Sequence, residues 1–151
     1  MENLKPSELR IGNYVLTNNS LYRKADLGKI ACIVAINSEV KVDNKQGVVT
    51  IYQIEDKYKD TYGQFLDYLK PIPISEEKLI ELGFTKTEDN DYLKVGRKAF
   101  LVSLADYGDT DFHVLYRCDI GMDFCSLAYV DYIHQIQNIV FDLTGEELVI
   151  N

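Results

Sequence analysis

Short apolar segments, rich in β-branched residues and closed by turn-forming residues, constrain the fold of this chain most. Residues 30–36 form a nearly continuous apolar run that is too short and too β-branched to favour a helix. An Asn-Ser pair breaks this run, and residues 40–42 then alternate apolar and charged side chains, as a half-buried strand does. Residues 44–47 predict a hairpin turn, and residues 48–54 predict the returning strand. This portion therefore predicts a small SH3-like curled β-sheet or barrel.

An aromatic-rich segment and two prolines follow. Residues 56–68 carry aromatic side chains at spacings that fit either a short helix or an ordered loop, and we favour a loop packed on the sheet. Pro71 and Pro73 favour an extended joint. We therefore predict a β-barrel-like subdomain over residues 1–70 and an α+β subdomain over residues 71–151, either separate or combined in one compact domain.

The second portion predicts a short helix followed by an antiparallel β-meander. Ser75 has the character of an N-cap and Gly83 that of a terminator, which predicts a helix over residues 75–82. The predicted strands of the meander are residues 84–86, 92–95, 99–104 and 112–118, with a further short strand at 124–127.

The C-terminal segment predicts an amphipathic helix that packs on the meander. At 100° per residue, the apolar side chains from Tyr129 to Leu143 share one face, and Gly145 is expected to end the helix. Gln137 falls inside the apolar arc and needs a hydrogen-bond partner if it is buried. His134 lies on the border between the two faces. The whole chain thus predicts an α+β fold.

The charge balance limits the classes of partner. The formal net charge is −8 and the sequence pI is near 4.7, which opposes non-specific binding to nucleic acid and to an anionic membrane surface. An acidic chain permits a basic partner, or imitation of a nucleic acid. No apolar run approaches the roughly 20 residues of a membrane helix, and the N-terminus has no apolar signal segment. We therefore expect a cytoplasmic protein.

The cysteines and the acidic segments do not predict a metal site. Cys32, Cys118 and Cys125 form no C-x-x-C pair, so we expect reduced and mostly buried thiols. The acidic segments 88–91 and 106–111 do not match a calcium loop and are typical of solvated turns. We expect no metal and no cofactor.

Two histidines are the candidates for general acid–base chemistry. His134 would need a nearby carboxylate, and His113 on an alternating strand is the weaker candidate. No nucleophile motif accompanies either histidine. We therefore assign no catalytic residue.

Eleven tyrosines without a tryptophan suggest a binding surface, because tyrosine offers contact area with a polar tip. Exposed tyrosines near an arginine would make a binding patch, with the margin of the C-terminal helix beside it. The candidate binding residues are His134, Gln137, Arg97, Arg117, Tyr116 and Tyr107, with Tyr58 and Tyr62 as further members.

Three ordered blocks of sequence carry a resemblance. They are ELRIGNYV at residues 8–15, PIPISEEKLIELGF at residues 71–84 and YIHQIQNIVFDLTGEEL at residues 132–148. Together they resemble a family of small uncharacterised proteins of phages and mobile elements of gut-type bacteria. Ser75 stands where this family usually has Thr, and Lys78 stands where it usually has Trp. The resemblance implies an accessory protein of a phage or mobile element and carries over no catalytic residue.

Three functional hypotheses follow. The first is a non-enzymatic accessory binding protein that acts on a host protein or a small signalling ligand, for example in counter-defence. Capture of a small anionic ligand such as a nucleotide would need Arg23, Arg97 or Arg117 to converge with aromatic rings. The second is an acidic DNA-mimic inhibitor, and the third is a small enzyme that uses His134 as general acid or base. Each is compatible with a homo-oligomer.

Overall fold

The computed structural model describes residues 4–17, 28–55, 59–104, 112–117 and 121–151. The chain is α+β, as predicted, and it divides into two compact units, Met1–Ile72 and Pro73–Asn151. The elements are β1 Tyr14–Thr17, β2 Ile30–Val42, β3 Lys45–Ile54, β4 Thr61–Phe65, β5 Leu69–Lys70, α1 Glu76–Glu81, β6 Thr85–Lys86, β7 Tyr92–Val95, β8 Ala99–Leu104, β9 Phe112–Arg117, β10 Cys125–Val130 and α2 Ile133–Thr144.

The first unit contains a curled antiparallel sheet with the strand order β4-β3-β2-β1-β5, which confirms the prediction of a curled β-sheet. Gly12 turns the chain into β1 with a φ of 96°, a conformation that favours glycine. Asn13 is buried beside it, and its Oδ1 accepts a hydrogen bond of 2.7 Å from the backbone N–H of Arg10. The core side chains of this unit are Leu4, Val15, Ala31, Ile33, Tyr52, Ile54, Leu66 and Leu69.

The long hairpin of β2 and β3 differs from its prediction in two ways. The Asn37-Ser38 pair does not end a strand, because β2 continues through it with register shifts that absorb the irregularity. The turn is also not at residues 44–47. Asp43 adopts a left-handed φ of 53° and closes a two-residue turn with Asn44, while Gly47 lies within β3 opposite Val40.

The middle of the aromatic-rich segment forms a strand rather than part of the predicted loop. Residues 61–65 form β4, which pairs with β3 and so satisfies the backbone groups of that edge. The rings of Tyr52 and Tyr62, which are opposite each other in the register, have centroids 6.1 Å apart. The pairing partner decided this outcome, since the spacing of aromatic residues alone did not distinguish a loop from a strand. Tyr58 lies outside the described residues.

Gln64 provides a test of packing inside the first unit. It is 3% exposed, and its Nε2 has no hydrogen-bond partner among the described residues. A buried donor without a partner is destabilising, so we expect Gln64→Leu to raise the free energy of unfolding by about 1 kcal/mol. Chemical denaturation measures this change, and Gln46→Leu at an exposed site of β3 is the control, with an effect near zero. A loss of stability in Gln64→Leu would contradict the expectation.

The second unit contains the predicted meander, with the strand order β10-β9-β8-β7-β6. The predicted short helix is also present as α1. Its first turn is capped by Ser75, whose Oγ accepts a hydrogen bond of 3.2 Å from the N–H of Lys78. Gly83 follows the helix with a φ of 90°, which confirms its role as terminator.

The C-terminal helix packs on the meander as predicted, but it begins four residues later than predicted. Tyr129 belongs to β10 and is 60% exposed, because the pairing of β10 with β9 continues to Val130. The helix begins at Ile133. The backbone N–H groups of the two preceding residues, Asp131 and Tyr132, both donate to Oε1 of Gln135, at 2.8 and 3.0 Å, and so cap its first turn. Gly145 ends the helix in the left-handed conformation. The core side chains of this unit include Leu79, Leu82, Phe84, Phe100, Val102, Val114, Val130, Ile133, Ile136, Val140 and Leu148.

Candidate functional site

Four side chains of the first unit form what we call the aromatic corner: Lys45, Phe65, Asp67 and Tyr68. The rings of Phe65 and Tyr68 stand at 87° to each other, with centroids 6.4 Å apart. The Nζ of Lys45 lies 4.8 Å from the centroid of Phe65 and 4.4 Å from that of Tyr68. The corner therefore presents two aromatic faces to one cation, which is an arrangement that stabilises positive charge.

The strand register explains why these residues meet. Lys45 is the first residue of β3, and Phe65 is the last residue of the antiparallel neighbour β4. A single 3-10 turn at residues 66–68 then places Tyr68 beside the same end of the hairpin. The ring of Phe65 lies against the backbone at Gly47, where a Cβ would be 3.4 Å from the ring. The corner is thus built by sheet pairing and not by closeness in sequence.

A carboxylate completes the corner. Oδ2 of Asp67 accepts a hydrogen bond of 2.9 Å from Nζ of Lys45. This hydrogen bond raises the pKa of Lys45 above its ordinary value of 10.5, so the ammonium stays charged at neutral pH. Asp67 is 71% exposed, so solvent screens this ion pair and it contributes little to folding. The carboxylate of Asp67 instead provides a directional hydrogen-bond acceptor at the solvent-exposed side of the corner.

A shallow, solvent-open cavity of about 410 Å³ is lined in part by the corner itself. Its position at the tip of the long hairpin leaves it open to solvent, because Asp43 and Asn44 of the turn are exposed. The turn adds a second carboxylate, that of Asp43. The lining residues are Val42, Asp43, Asn44, Lys45, Phe65 and Tyr68.

The arginines and the tyrosine predicted as a patch that the structure describes in the second unit do not converge. Arg117 stacks on Phe124, with its guanidinium carbon 4.8 Å from the ring centroid. Tyr116 is the neighbouring residue of β9 and so faces the opposite side of the sheet, near Lys98. Arg97 contacts the carbonyl oxygen of Thr144 at 3.4 Å, where a cation complements the C-terminus of α2. Tyr107 and Arg23 lie outside the described residues.

The two residues of the C-terminal helix that were predicted as binding residues, His134 and Gln137, are buried. His134 is 1% exposed, with its ring stacked at 5.9 Å on that of Tyr132. Gln137 is 0% exposed, and its Nε2 donates to the carbonyl oxygen of Leu148 at 3.2 Å. The prediction that Gln137 needs a partner when buried is confirmed. Either residue could reach a ligand only if the helix moved away from its neighbours.

His113 makes a contact that the sequence did not indicate. Its Nε2 lies 2.6 Å from Oγ of Ser126, and its ring stacks on Tyr129 with centroids 4.5 Å apart. The three side chains lie on one face of β9 and the edge strand β10. A hydroxyl beside an imidazole is one part of a nucleophilic site, but this pair lies on a solvent-exposed sheet face. We assign it the structural role of linking the two strands.

Two of the three cysteines lie among the described residues. Cys32 is half-buried and Cys125 is exposed, so the expectation of buried thiols is wrong for Cys125, which sits on the edge strand. Cys118 and the acidic segment 106–111 lie outside the described residues. Where side chains are described, no three from His, Cys, Asp and Glu are grouped to hold a metal ion. None of the described helices is long and apolar enough to cross a membrane.

Comparison with known proteins gives no relative. No family model, no curated protein and no solved structure matches this chain.

Proposed function

We propose that this protein is a non-enzymatic accessory binding protein that captures a positively charged segment of a host protein at the aromatic corner. The supporting observation is the ammonium of Lys45, which is held between two perpendicular rings and a carboxylate. Surroundings that accept this cation also suit a lysine or arginine side chain of a partner. The adjoining cavity offers room for the rest of such a side chain.

The charge of the whole chain supports the same class of partner. A net charge of −8 attracts a basic segment and accelerates its encounter with the protein, and it repels acidic competitors. The carboxylate of Asp43, which lines the cavity, and that of Asp67, which pairs with Lys45, extend this attraction to the corner itself.

The site chemistry favours binding over catalysis. The aromatic corner offers rings, an ammonium and a solvated carboxylate, which recognise charge and supply no activated nucleophile. The sequence blocks that resemble proteins of phages and mobile elements support an accessory role in the cytoplasm of a host cell, with counter-defence as the biological setting. Capture of a small anionic ligand has less support, because Arg97 and Arg117 do not converge on one aromatic group.

Titration of the full chain with a short Lys/Arg-rich peptide tests the proposal. We expect NMR signals of Phe65 and Tyr68 to shift saturably and the affinity to fall as salt is added. An acidic peptide of equal length should produce no such shift. Absence of shifts at the corner, or equal binding of both peptides, would overturn the proposal.

A matched pair of tyrosine variants locates the binding. Tyr68→Leu keeps an apolar side chain but removes one π-face, so the affinity for the basic peptide should fall by about three- to tenfold. Tyr129→Leu removes an exposed tyrosine of the second unit and should leave the affinity unchanged. An equal loss in both variants would place the binding elsewhere.

A further inference from the structure

We propose that Lys45 is a built-in stand-in for the cationic group of the ligand, which enters the aromatic corner by displacing it, and that the corner selects cations that carry N–H groups. This inference rests on the proposed function and names the chemistry and control of the same site. It implies that wild-type protein binds through a minor conformation in which Lys45 has left the corner.

The geometry supports displacement rather than joint occupancy. Nζ of Lys45 already lies within 5 Å of both ring centroids, at 4.8 and 4.4 Å. A second cation at the same faces would stand a few ångströms from the first, and the two like charges would repel each other. The ligand and Lys45 must therefore compete for the corner.

Lys45 is placed to leave easily. It follows the two-residue turn directly, at the tip of the hairpin, and its side chain is 38% exposed. The side chain is a flexible four-carbon stem, and its ammonium can be hydrated by water when it leaves. No core side chain has to move, since the core of the first unit is formed by other residues.

Asp67 gives the corner its selectivity. Its Oδ2 accepts an N–H of the Lys45 ammonium at 2.9 Å. A primary ammonium or a guanidinium can replace this hydrogen bond, whereas a quaternary ammonium cannot, because it has no N–H. We therefore infer a ligand with unmodified lysine or arginine side chains and not a trimethylated one.

Titration of the full chain with small cations tests both the displacement of Lys45 and the selectivity for cations that carry N–H groups. Lys45→Ala removes the internal cation from the corner. In this variant n-butylammonium should shift the NMR signals of Phe65 and Tyr68, with an apparent affinity at least about tenfold higher than in wild type. The difference arises because in wild type the ammonium of Lys45 must leave the corner first. Tetramethylammonium should bind the same variant more weakly than n-butylammonium. Equal affinities of the two cations would overturn the selectivity.

Two further variants serve as controls. Lys45→Met keeps an unbranched stem in the corner without its charge, so it should block n-butylammonium. Lys59→Ala removes the lysine of another exposed ion pair, with Glu55 at 2.8 Å, and should not raise the affinity for n-butylammonium. If Lys45→Ala binds n-butylammonium no better than wild type does, Lys45 is not a stand-in.

The two proposals fail in different ways. Binding of the basic peptide to wild type, without any gain in Lys45→Ala, would leave the proposed function intact and overturn the stand-in. A gain for n-butylammonium in Lys45→Ala, without peptide binding, would support the stand-in and overturn capture of a protein segment.

Discussion

Replacing Ile136 by alanine is expected to lower the free energy of unfolding of the second unit by about 2–5 kcal/mol. Ile136 is 0% exposed and lies in the middle of α2, on the face that packs against the meander. The substitution removes three carbon atoms from a filled interior and leaves a cavity that the neighbouring elements can only partly close. Urea denaturation followed by circular dichroism measures the loss.

Ile80 provides the matched control for this substitution. It is also a helical isoleucine, in α1, but it is 51% exposed. Ile80→Ala should change the free energy of unfolding by no more than about 0.5 kcal/mol. Equal effects of the two substitutions would mean that α2 does not bury its apolar face, and the fold described for the second unit would then be wrong.

Replacing Gln137 by leucine is expected to lower the free energy of unfolding by about 1–3 kcal/mol. The two side chains have similar size, so the cost is mainly polar. The carbonyl oxygen of Leu148 loses the Nε2 donor at 3.2 Å, and Leu148 is only 2% exposed, which leaves water little access to the carbonyl. Thermal or urea denaturation checks the value.

The same substitution at Gln64 should have the opposite sign. In Gln64→Leu a buried amide nitrogen without a partner among the described residues is removed, while in Gln137→Leu a carbonyl oxygen loses a donor. Burial and residue type are matched, so the difference in hydrogen bonding is expected to give the two results opposite signs. If Gln137→Leu loses no stability, then the hydrogen bond to Leu148 is not what holds the C-terminal tail against α2. If Gln64→Leu loses stability, then its buried Nε2 is not the destabilising group that we infer.

Local signals predicted the second unit well, because its elements follow one another along the chain and in space. Ser75 and Gly83 act on the backbone within a few residues, so they mark the ends of α1 without reference to the rest of the fold. The start of α2 was misplaced because Tyr129 fits the apolar helical face and also fits a strand. The pairing with β9 decided between them.

The aromatic corner could not be predicted in the same way. Lys45 was expected inside a turn, and the segment with Phe65 and Tyr68 was expected to be a loop. Only the register of β3 with β4, together with the position of the turn at Asp43, places the ammonium between the rings. Of the residues that were predicted as a patch, Arg117 and Tyr116 are neighbours in sequence but face opposite sides of β9, since side chains alternate along a strand.

The amino-acid sequence by itself determined the α+β class, the short capped helix, the meander and the acidic charge of this protein, since each follows from local spacing or from composition. Tertiary structure alone decided which edge β4 joins, where α2 begins and which side chains surround the ammonium of Lys45. The physical reason is that strand pairing and charge clustering join residues about twenty positions apart, and such contacts depend on register and not on the propensity of any single segment.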